Sequence, residues 1–313
     1  MARLKIKTEI YSKIRKKISP LRIALMITAT AVIFYWLFSK ISFIESIRII
    51  TRSNPFFILL SLIMLVLSVF FIILRWMLII KSLSPKTGFM DAMVSIMSAS
   101  SLNSVLPSKL GDIFKVYYFK ECGVSKVVGT VFTERLFDII SLSLILITGS
   151  VIINRNIFVY IGLIVLLALI FFTLGVYFLR KKLKKSKKYN LIKNLFYSVN
   201  WIMQRPKKGL ALFLLSIIIW VCSILQIYLI FLAIPIEVNI IYFSSAIIIA
   251  IFVGLIPITI AGMGTRDSAI IYLFSSFAAG EKLLAVGLLF SFFRYWLLSI
   301  IGIPFLIYSI NKK

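Results

Sequence analysis

Histidine is absent from this 313-residue sequence. The side chain that most often serves as a general base near neutral pH, and most often ligates metals, is therefore missing. The two cysteines, Cys122 and Cys222, fall in different apolar segments and imply no disulfide framework. The motif G-x-x-x-x-G-K-[ST] does not occur, so the sequence offers no P-loop as an energy source. Long polar stretches are limited to residues 1–20 and 180–208, which are too short to bury the core of a soluble catalytic domain.

Apolar residues and positive charge are abundant instead. Hydrophobic residues make up 61% of the sequence and charged residues 15%, and the mean hydropathy is +1.06, which is typical of a polytopic helical membrane protein. The net charge of +26 comes from lysines and arginines that flank apolar runs, a pattern that also suits anionic lipid headgroups. Because no nucleic-acid-binding module accompanies this charge, we expect membrane lipids, and no nucleic acid, as partners.

The apolar runs predict an all-α protein with about six full crossings, folded as one transmembrane domain over residues 1–313. Residues 1–20 form a basic cytoplasmic arm, 21–179 the first half, 180–208 a basic cytoplasmic loop and 209–313 the second half. The predicted crossings are Leu21–Ser39, Pro55–Ile80, Val127–Ile153, Ile157–Leu179, Leu210–Leu232 and Leu283–Ile310. Arg75 and Trp76 lie near one end of the second crossing, where we expect them to reach the headgroup region.

Two further apolar stretches are too short or too polar for ordinary spans. The first, from Asp91 to about residue 120, contains Pro107 and Gly111; the second runs from Ile240 to Phe277 and contains Pro257. We interpret both as re-entrant hairpins broken at membrane depth, entered from opposite faces, which makes an inverted repeat a possible architecture. The alternative is that each hairpin limb is a full crossing.

Loop charge sets the predicted topology. The basic arm, the basic loop and the last two lysines are expected in the cytoplasm, which puts both termini there. The same topology keeps Lys115, Lys120 and Lys126 on the cytoplasmic side. High isoleucine and lysine contents suggest a prokaryotic genome, so we expect a multi-pass protein of the plasma membrane.

Charged residues at membrane depth are the candidates for function, because charges in a bilayer face a protein interior or a water-filled cavity. Glu134 and Asp138 share one helix face, and Arg135 can pair with Asp138. Two such carboxylates need cationic partners, for which Arg135, Lys109 and Arg266 are the candidates. The cluster either fixes how the two halves dock or lines a polar path. Asn103 and Asp112 add polarity at the first break.

The second break carries Gly262, Gly264, Arg266 and Asp267. If Ser268 begins a helix, Asp267 can cap it, and the glycines allow backbone N–H groups to approach an anion. Arg266 beside them would make a phosphate site, since guanidinium binds phosphate in a bidentate manner. The alternative is a capped turn without a ligand.

Arg294 lies deep in the last crossing, where it either contacts the cavity or pairs with a carboxylate of the central cluster. Gln226, in the middle of the preceding crossing, is expected to form interhelical hydrogen bonds.

Three segments resemble motifs of the lysylphosphatidylglycerol synthase transmembrane region family, also called flippase-like membrane proteins. They are N-x-x-x-P-S-K-L-G-D at 103–112, E-R-x-x-D at 134–138 and P-x-x-x-x-G-x-G-x-R-D at 257–267. The resemblance covers about residues 20–310 and implies a lipid or polyprenyl-phosphate translocase without the aminoacyl transferase domain. It gives functional weight to Asn103, Pro107, Asp112, Glu134, Arg135, Asp138, Gly262, Gly264, Arg266 and Asp267. Lys109 and Asp267 stand where the family pattern has arginine and glutamate.

Three functional hypotheses follow. The first is a flippase-like translocase whose substrate headgroup follows the charged groove while its tail stays in lipid, without a cofactor. The second is a non-catalytic membrane partner in cell-envelope lipid or glycan synthesis. The third is an intramembrane enzyme acting on a lipid phosphate, with magnesium held by Asp112, Asp138 and Asp267. We favour the translocase, and therefore expect a transporter-like protein.

Overall fold

The computed structural model describes residues 20–103, 111–182, 193–256 and 258–312, and within these ranges the regular structure is helical. The main helices are α1 Pro20–Lys40, α2 Phe43–Thr51, α3 Pro55–Ile80, α4 Phe89–Asn103, α5 Ile113–Tyr118, α6 Val124–Ile152, α7 Asn156–Lys182, α8 Tyr197–Met203, α9 Pro206–Ala233, α10 Ile240–Leu255, α11 Thr265–Phe274, α12 Gly280–Ser291 and α13 Leu298–Lys312. A π-helical turn, Phe292–Leu297, joins α12 to α13. The predicted all-α fold is confirmed.

Among the described residues, five helical segments are long and apolar enough to cross a membrane: α3, α6, α7, α9 and the continuous stretch Gly280–Asn311. The pair α1 and α2 bends by 82° and supplies a sixth when counted as one span. The five segments coincide with five predicted crossings to within a few residues at each end. The first predicted crossing, Leu21–Ser39, coincides with α1 alone, whereas the sixth span also includes α2, which extends to Thr51. Pro55 opens α3 as predicted, and the Asn54 side chain caps the helix by accepting a hydrogen bond from the Phe56 N–H at 3.0 Å.

Each of the two predicted hairpins contains two short helices. In the first, α4 has 15 residues and is followed after the break by α5; in the second, α10 has 16 residues and leads through a 3₁₀ turn, Ile260–Gly262, into α11. At 1.5 Å per residue, α4 and α10 are about 22–24 Å long, less than the ~30 Å hydrocarbon core. Their lengths favour re-entrant limbs over full crossings. Pro107, Lys109 and Pro257 lie outside the described residues.

Helices α3 and α9 run antiparallel through the centre of the molecule. At one end the Asn54 N–H donates to the Ala233 carbonyl at 2.9 Å, and near the other end Arg75 donates to Ser216 Oγ at 2.9 Å. The largest apolar cluster surrounds α9, where Phe231, Phe243 and Phe274 join α9, α10 and α11 with ring centroids 4.9–5.6 Å apart. This aromatic contact fixes the second hairpin against the central pair.

Each hairpin packs on the crossing that follows the hairpin of the other half. Helix α4 lies along α13, where a Cβ on Gly302 would stand 2.3 Å from the Met97 carbonyl oxygen, and α10 lies along α6, where Gly149 is in contact with Ser245. This exchange around the antiparallel pair is the packing that a pseudo-twofold axis would generate. The inverted repeat itself stays a prediction.

Candidate functional site

Six ionisable side chains near the first break form a closed ring in which cations and carboxylates alternate. Each cation lies within 4.0 Å of two carboxylates, and each carboxylate lies within the same distance of two cations. Three positive and three negative charges make the ring formally neutral. In order around the ring the residues are Arg75, Glu134, Lys115, Asp112, Arg135 and Asp138.

Arg75 connects three helices at this ring. Its Nη2 lies 3.0 Å from Glu134 Oε1 and its Nη1 lies 2.6 Å from Asp138 Oδ1, and the two carboxylates are one turn apart on α6. The same Nη1 donates to Ser216 Oγ of α9. Trp220, also on α9, donates from Nε1 to Asp138 Oδ1 at 3.0 Å. With only 2% of its surface exposed, Arg75 clamps α6 and α9 onto α3 from inside the protein.

Lys115 and Arg135 attach the segment after the first break to the same ring. Lys115 Nζ lies 2.9 Å from Glu134 Oε2 and 3.3 Å from Asp112 Oδ1. Arg135 pairs with Asp112 on one side and with Asp138 Oδ2 at 3.1 Å on the other. Its side chain is 33% exposed, whereas that of Lys115 is 4% exposed. Arg135 is therefore the cation of the ring that a ligand in the cavity can reach most easily.

The second break carries a separate, internally neutral ion pair. Arg266 Nη2 lies 2.8 Å from Asp267 Oδ1 and donates to Ser291 Oγ at 2.6 Å, while the guanidinium carbon stands 4.5 Å from the Phe290 ring centroid. Asp267 also accepts from the Gly264 N–H, at 2.9 Å. The helix begins at Thr265, so Asp267 is its third residue and caps it from inside the first turn.

Arg294 lies in the π-helical turn between α12 and α13, and it differs from every cation above. It donates from Nη1 to Ser68 Oγ at 2.9 Å, and among the described residues no carboxylate oxygen lies within 4.0 Å of its guanidinium. Asp138 acts on it electrostatically, but Asp138 already serves Arg75 and Arg135. Short π-helical turns are frequent at functional sites. Arg294 thus brings a positive charge that its neighbours do not balance.

Most of these charged groups border one or both of two adjoining cavities. The smaller, of about 120 Å³, is lined by the whole ring together with Asn103 and Arg294. The larger, of about 470 Å³, lies between the two breaks and is lined by Gly262 and Arg266 from the second. Residues that border both are Asp112, Arg135, Asp138, Trp220, Arg294 and Tyr295. Among the described residues the ring and the Arg266–Asp267 pair are each formally neutral, so Arg294, which borders both cavities, is the surplus positive charge of the lining.

Comparison with known proteins shows which family the chain belongs to. The sequence profile described as the lysylphosphatidylglycerol synthase TM region matches residues 21–302. The chain belongs to this family. Among curated proteins it is similar to the UPF0104 membrane protein MJ1595 of Methanocaldococcus jannaschii, with 26% identity over 82% of this chain and 85% of the relative. A UPF0104 membrane protein of Methanothermobacter thermautotrophicus is 20% identical over 84% and 89% of the two chains.

Most of the residues that the family motifs single out reach the cavities. Asn103, whose amide lies 3.5 Å from Asp112 Oδ1, borders the smaller one. Gly264 and Asp267 line neither cavity, but the hydrogen bond from the Gly264 N–H to Asp267 stabilises the second break. The predicted Lys109 lies outside the described residues. The remaining predicted site residues border one cavity or both: Asp112, Glu134, Arg135, Asp138, Gly262, Arg266 and Arg294.

Two expectations about charge partners are corrected by the structure. Arg75 does not extend outward from the end of its helix but is buried in the ring. Lys115, for which no charge partner was predicted, is also buried in the ring. Arg266 pairs with Asp267 and not with the central carboxylates, whereas the predicted pair of Arg135 with Asp138 is confirmed. The two carboxylates one turn apart on α6, with only Arg135 between them, could have indicated a further buried cation, because two neighbouring carboxylates at membrane depth do not both stay ionised without enough cationic partners.

The three carboxylates proposed for magnesium do not fit a metal site in this family member. Asp112 and Asp138 are each shared by two cations, and Asp267 is held by Arg266 and the Gly264 N–H away from the cavity lining. Within the part of the chain that the structure describes, no group of three metal-ligating side chains is found. A divalent cation would have to displace guanidinium groups that already neutralise these oxygens.

Proposed function

We propose that this protein moves a lipid with an anionic, phosphate-containing headgroup between the leaflets of the plasma membrane. The observation that carries the proposal is Arg294, a cation in a cavity between the two breaks for which the described part of the chain provides no carboxylate within 4.0 Å. An unbalanced charge at membrane depth costs at least about 2.5–3.5 kcal/mol, and a bound anion would remove that cost.

The chemistry of the surplus cation favours phosphate. A guanidinium presents parallel N–H donors that match two oxygens of one phosphate group, and such charge-assisted bonds are about twice as strong as neutral ones. Arg135, partly exposed on the same cavity wall, can share a headgroup with Arg294 as it passes. Aminoacylated phosphatidylglycerol and polyprenyl phosphates, which the family resemblance implies as substrates, both contain this group.

The neutral ring is better suited to letting a headgroup pass than to binding it tightly. Its charges attract polar headgroup atoms and water, but because each already has two opposite partners, the ring holds no single headgroup tightly. Movement across a site requires binding strong enough for entry and weak enough for release. With no P-loop in the sequence, we propose passive movement or coupling to an ion.

The orientation we propose has both termini and the basic loop at residues 180–208 in the cytoplasm, following the positive-inside pattern. The cavity would then exchange headgroups between the two faces through the first and second breaks in turn. A role beside envelope-synthesis enzymes is compatible with this activity, since a translocated lipid is a substrate for them.

Neutralising Arg294 should abolish most lipid movement. In proteoliposomes, fluorescent phosphatidylglycerol and a fluorescent polyprenyl phosphate are followed by dithionite quenching of the outer leaflet. We expect Arg294→Gln to slow whichever lipid the wild type moves by at least about tenfold, the equivalent of losing a charged hydrogen bond of 1.5–3 kcal/mol. Arg294→Lys keeps the charge without the bidentate geometry and should retain an intermediate rate.

The matched control is Arg52→Gln, which removes an exposed charge at the end of α2, away from both cavities. It should move lipid at the wild-type rate. If folded Arg294→Gln protein moved lipid at the wild-type rate, Arg294 would not be part of the substrate site. If wild-type protein moved neither lipid, the translocase would be refuted and the non-catalytic partner would become the better hypothesis.

A further inference from the structure

The larger cavity has apolar lining that the charged groups do not explain. This lining is formed on α6 by Val131 and Ile139, and at the end of α10 by Ile251, Leu255 and Ile256. Arg135, Arg266 and Arg294 line the same cavity. A cavity that presents both guanidinium groups and apolar side chains suits an amphiphile.

The apolar lining lies away from the point where α6 and α10 are in contact. The helices touch at Gly149 and Ser245, where a Cβ on the glycine would lie 2.6 Å from Ser245 Oγ. Ile139 and Leu255 are each ten residues, about 15 Å, from that contact. There both helices border the larger cavity.

Two side chains of this apolar lining are also exposed at the surface of the protein. Leu255 is 39% exposed and Ile256 is 49% exposed, although both line the cavity. These side chains lie at the inner end of a hairpin whose limbs are too short to cross the bilayer, so their surroundings are hydrocarbon. Apolar surface there is stable, whereas polar surface would be costly.

We infer that the gap between Ile139 of α6 and Leu255 of α10 is a lateral portal that holds the hydrocarbon chain of the lipid whose phosphate binds Arg294. The inference rests on the proposed function and adds to it the position of the tail. The positive charge of Arg294 and the apolar lining belong to one continuous cavity. The occupant of the portal is therefore an anionic amphiphile. Acyl chains of phosphatidylglycerol and the prenyl chain of a polyprenyl phosphate share this chemistry.

Photolabelling tests the portal without any substitution. Wild-type protein in vesicles is irradiated with phosphatidylglycerol that carries a diazirine in its acyl chain, and separately with a diazirine-labelled polyprenyl phosphate. We expect adducts on Ile139, Leu255 or Ile256 that are reduced in Arg294→Gln but not in Arg52→Gln, and the lipid that labels identifies the chain. Labelling confined to the outer faces of the spans would overturn the portal.

A blocking experiment tests it through transport. Ile139→Trp combined with Leu255→Trp should slow lipid movement at least about tenfold, because two indoles fill the gap. The matched control, Leu144→Trp with Ile240→Trp, places the same side chains at exposed positions of α6 and α10 outside the cavity lining and should transport at the wild-type rate. Wild-type rates in the blocked variant would overturn the portal while leaving the translocase intact. Failure of the wild type to move lipid would instead refute the translocase. If the blocked variant does not fold, the photolabelling result decides.

Discussion

Replacing Arg75 with methionine should lower the free energy of unfolding by about 3–5 kcal/mol, the cost expected when one partner of a buried ion pair is removed. The change leaves Lys115 and Arg135 facing three carboxylates, so the buried ring acquires one net negative charge. It also removes the hydrogen bond that ties α3 to Ser216 of α9. The measurement is unfolding of purified protein in detergent micelles, by heat or by denaturing detergent.

A charge-balanced double variant distinguishes the effect of an unbalanced ring charge from the effect of lost side-chain packing. In Arg75→Met with Asp138→Asn, Glu134 keeps Lys115 and Arg135 keeps Asp112, so the remaining charges are neutral in sum. This variant should recover part of the stability, because no buried charge lacks a partner. Arg52→Met, at an exposed position, should stay within about ±0.5 kcal/mol of wild type. If Arg75→Met were as stable as Arg52→Met, the ring would not be what holds these helices together.

Hydropathy and helix signals were sufficient for the framework. Runs such as Pro55–Ile80 and Leu210–Leu232 must be helices in lipid because only helices satisfy their own backbone hydrogen bonds there. The bounds of Pro55–Ile80 are the same in the structure, whereas Leu210–Leu232 is extended to Pro206–Ala233 by terminal residues that carry little apolar signal. The polar, proline-containing stretches indicated the positions of both breaks, because broken backbone at membrane depth is tolerated only where it lines a cavity.

The charge partners were harder to predict because a sequence gives depth along a helix but not the direction a side chain faces. Arg75 lies near a helix end, where arginine can reach the interface, and only the packing of α3 against α6 and α9 turns it inward. Lys115 follows the first break, and its burial depends on where α5 lies against α6. By contrast, Glu134, Arg135 and Asp138 share one helix, so the pair between Arg135 and Asp138 followed from spacing alone.

Gln226 illustrates the asymmetry between the two halves. It stands twenty residues after the proline that opens α9, as Arg75 stands twenty residues after the proline that opens α3. Its side chain is fully buried, yet neither amide atom finds a hydrogen-bond partner among the described residues, contrary to the expected interhelical bond. If the halves are an inverted repeat, the ion ring was built in the first half alone, and the second half contributes Arg266 and Arg294 to the cavity instead.

Gly262→Ala should disrupt the second break and lower the free energy of unfolding by about 2–5 kcal/mol, from left-handed backbone strain and overpacking together. Gly262 has φ +73°, and a Cβ there would lie 2.4 Å from the Gly254 carbonyl oxygen. Because Gly254 in turn touches the Arg266 side chain, the displacement would reach the cavity wall. Thermal unfolding in micelles measures the stability, and the proteoliposome assay measures the accompanying loss of lipid movement.

Gly175→Ala on α7 is the matched control, since no described atom lies within 4 Å of the added methyl group. Alanine favours a helix over glycine by up to about 1 kcal/mol, so this variant should be unchanged or slightly more stable. Equal stability and equal lipid movement in the two alanine variants would mean that α10 and the second break can separate without cost. The cavity would then not depend on the close approach of Gly262 to Gly254, and Arg266 would not be held in place by it.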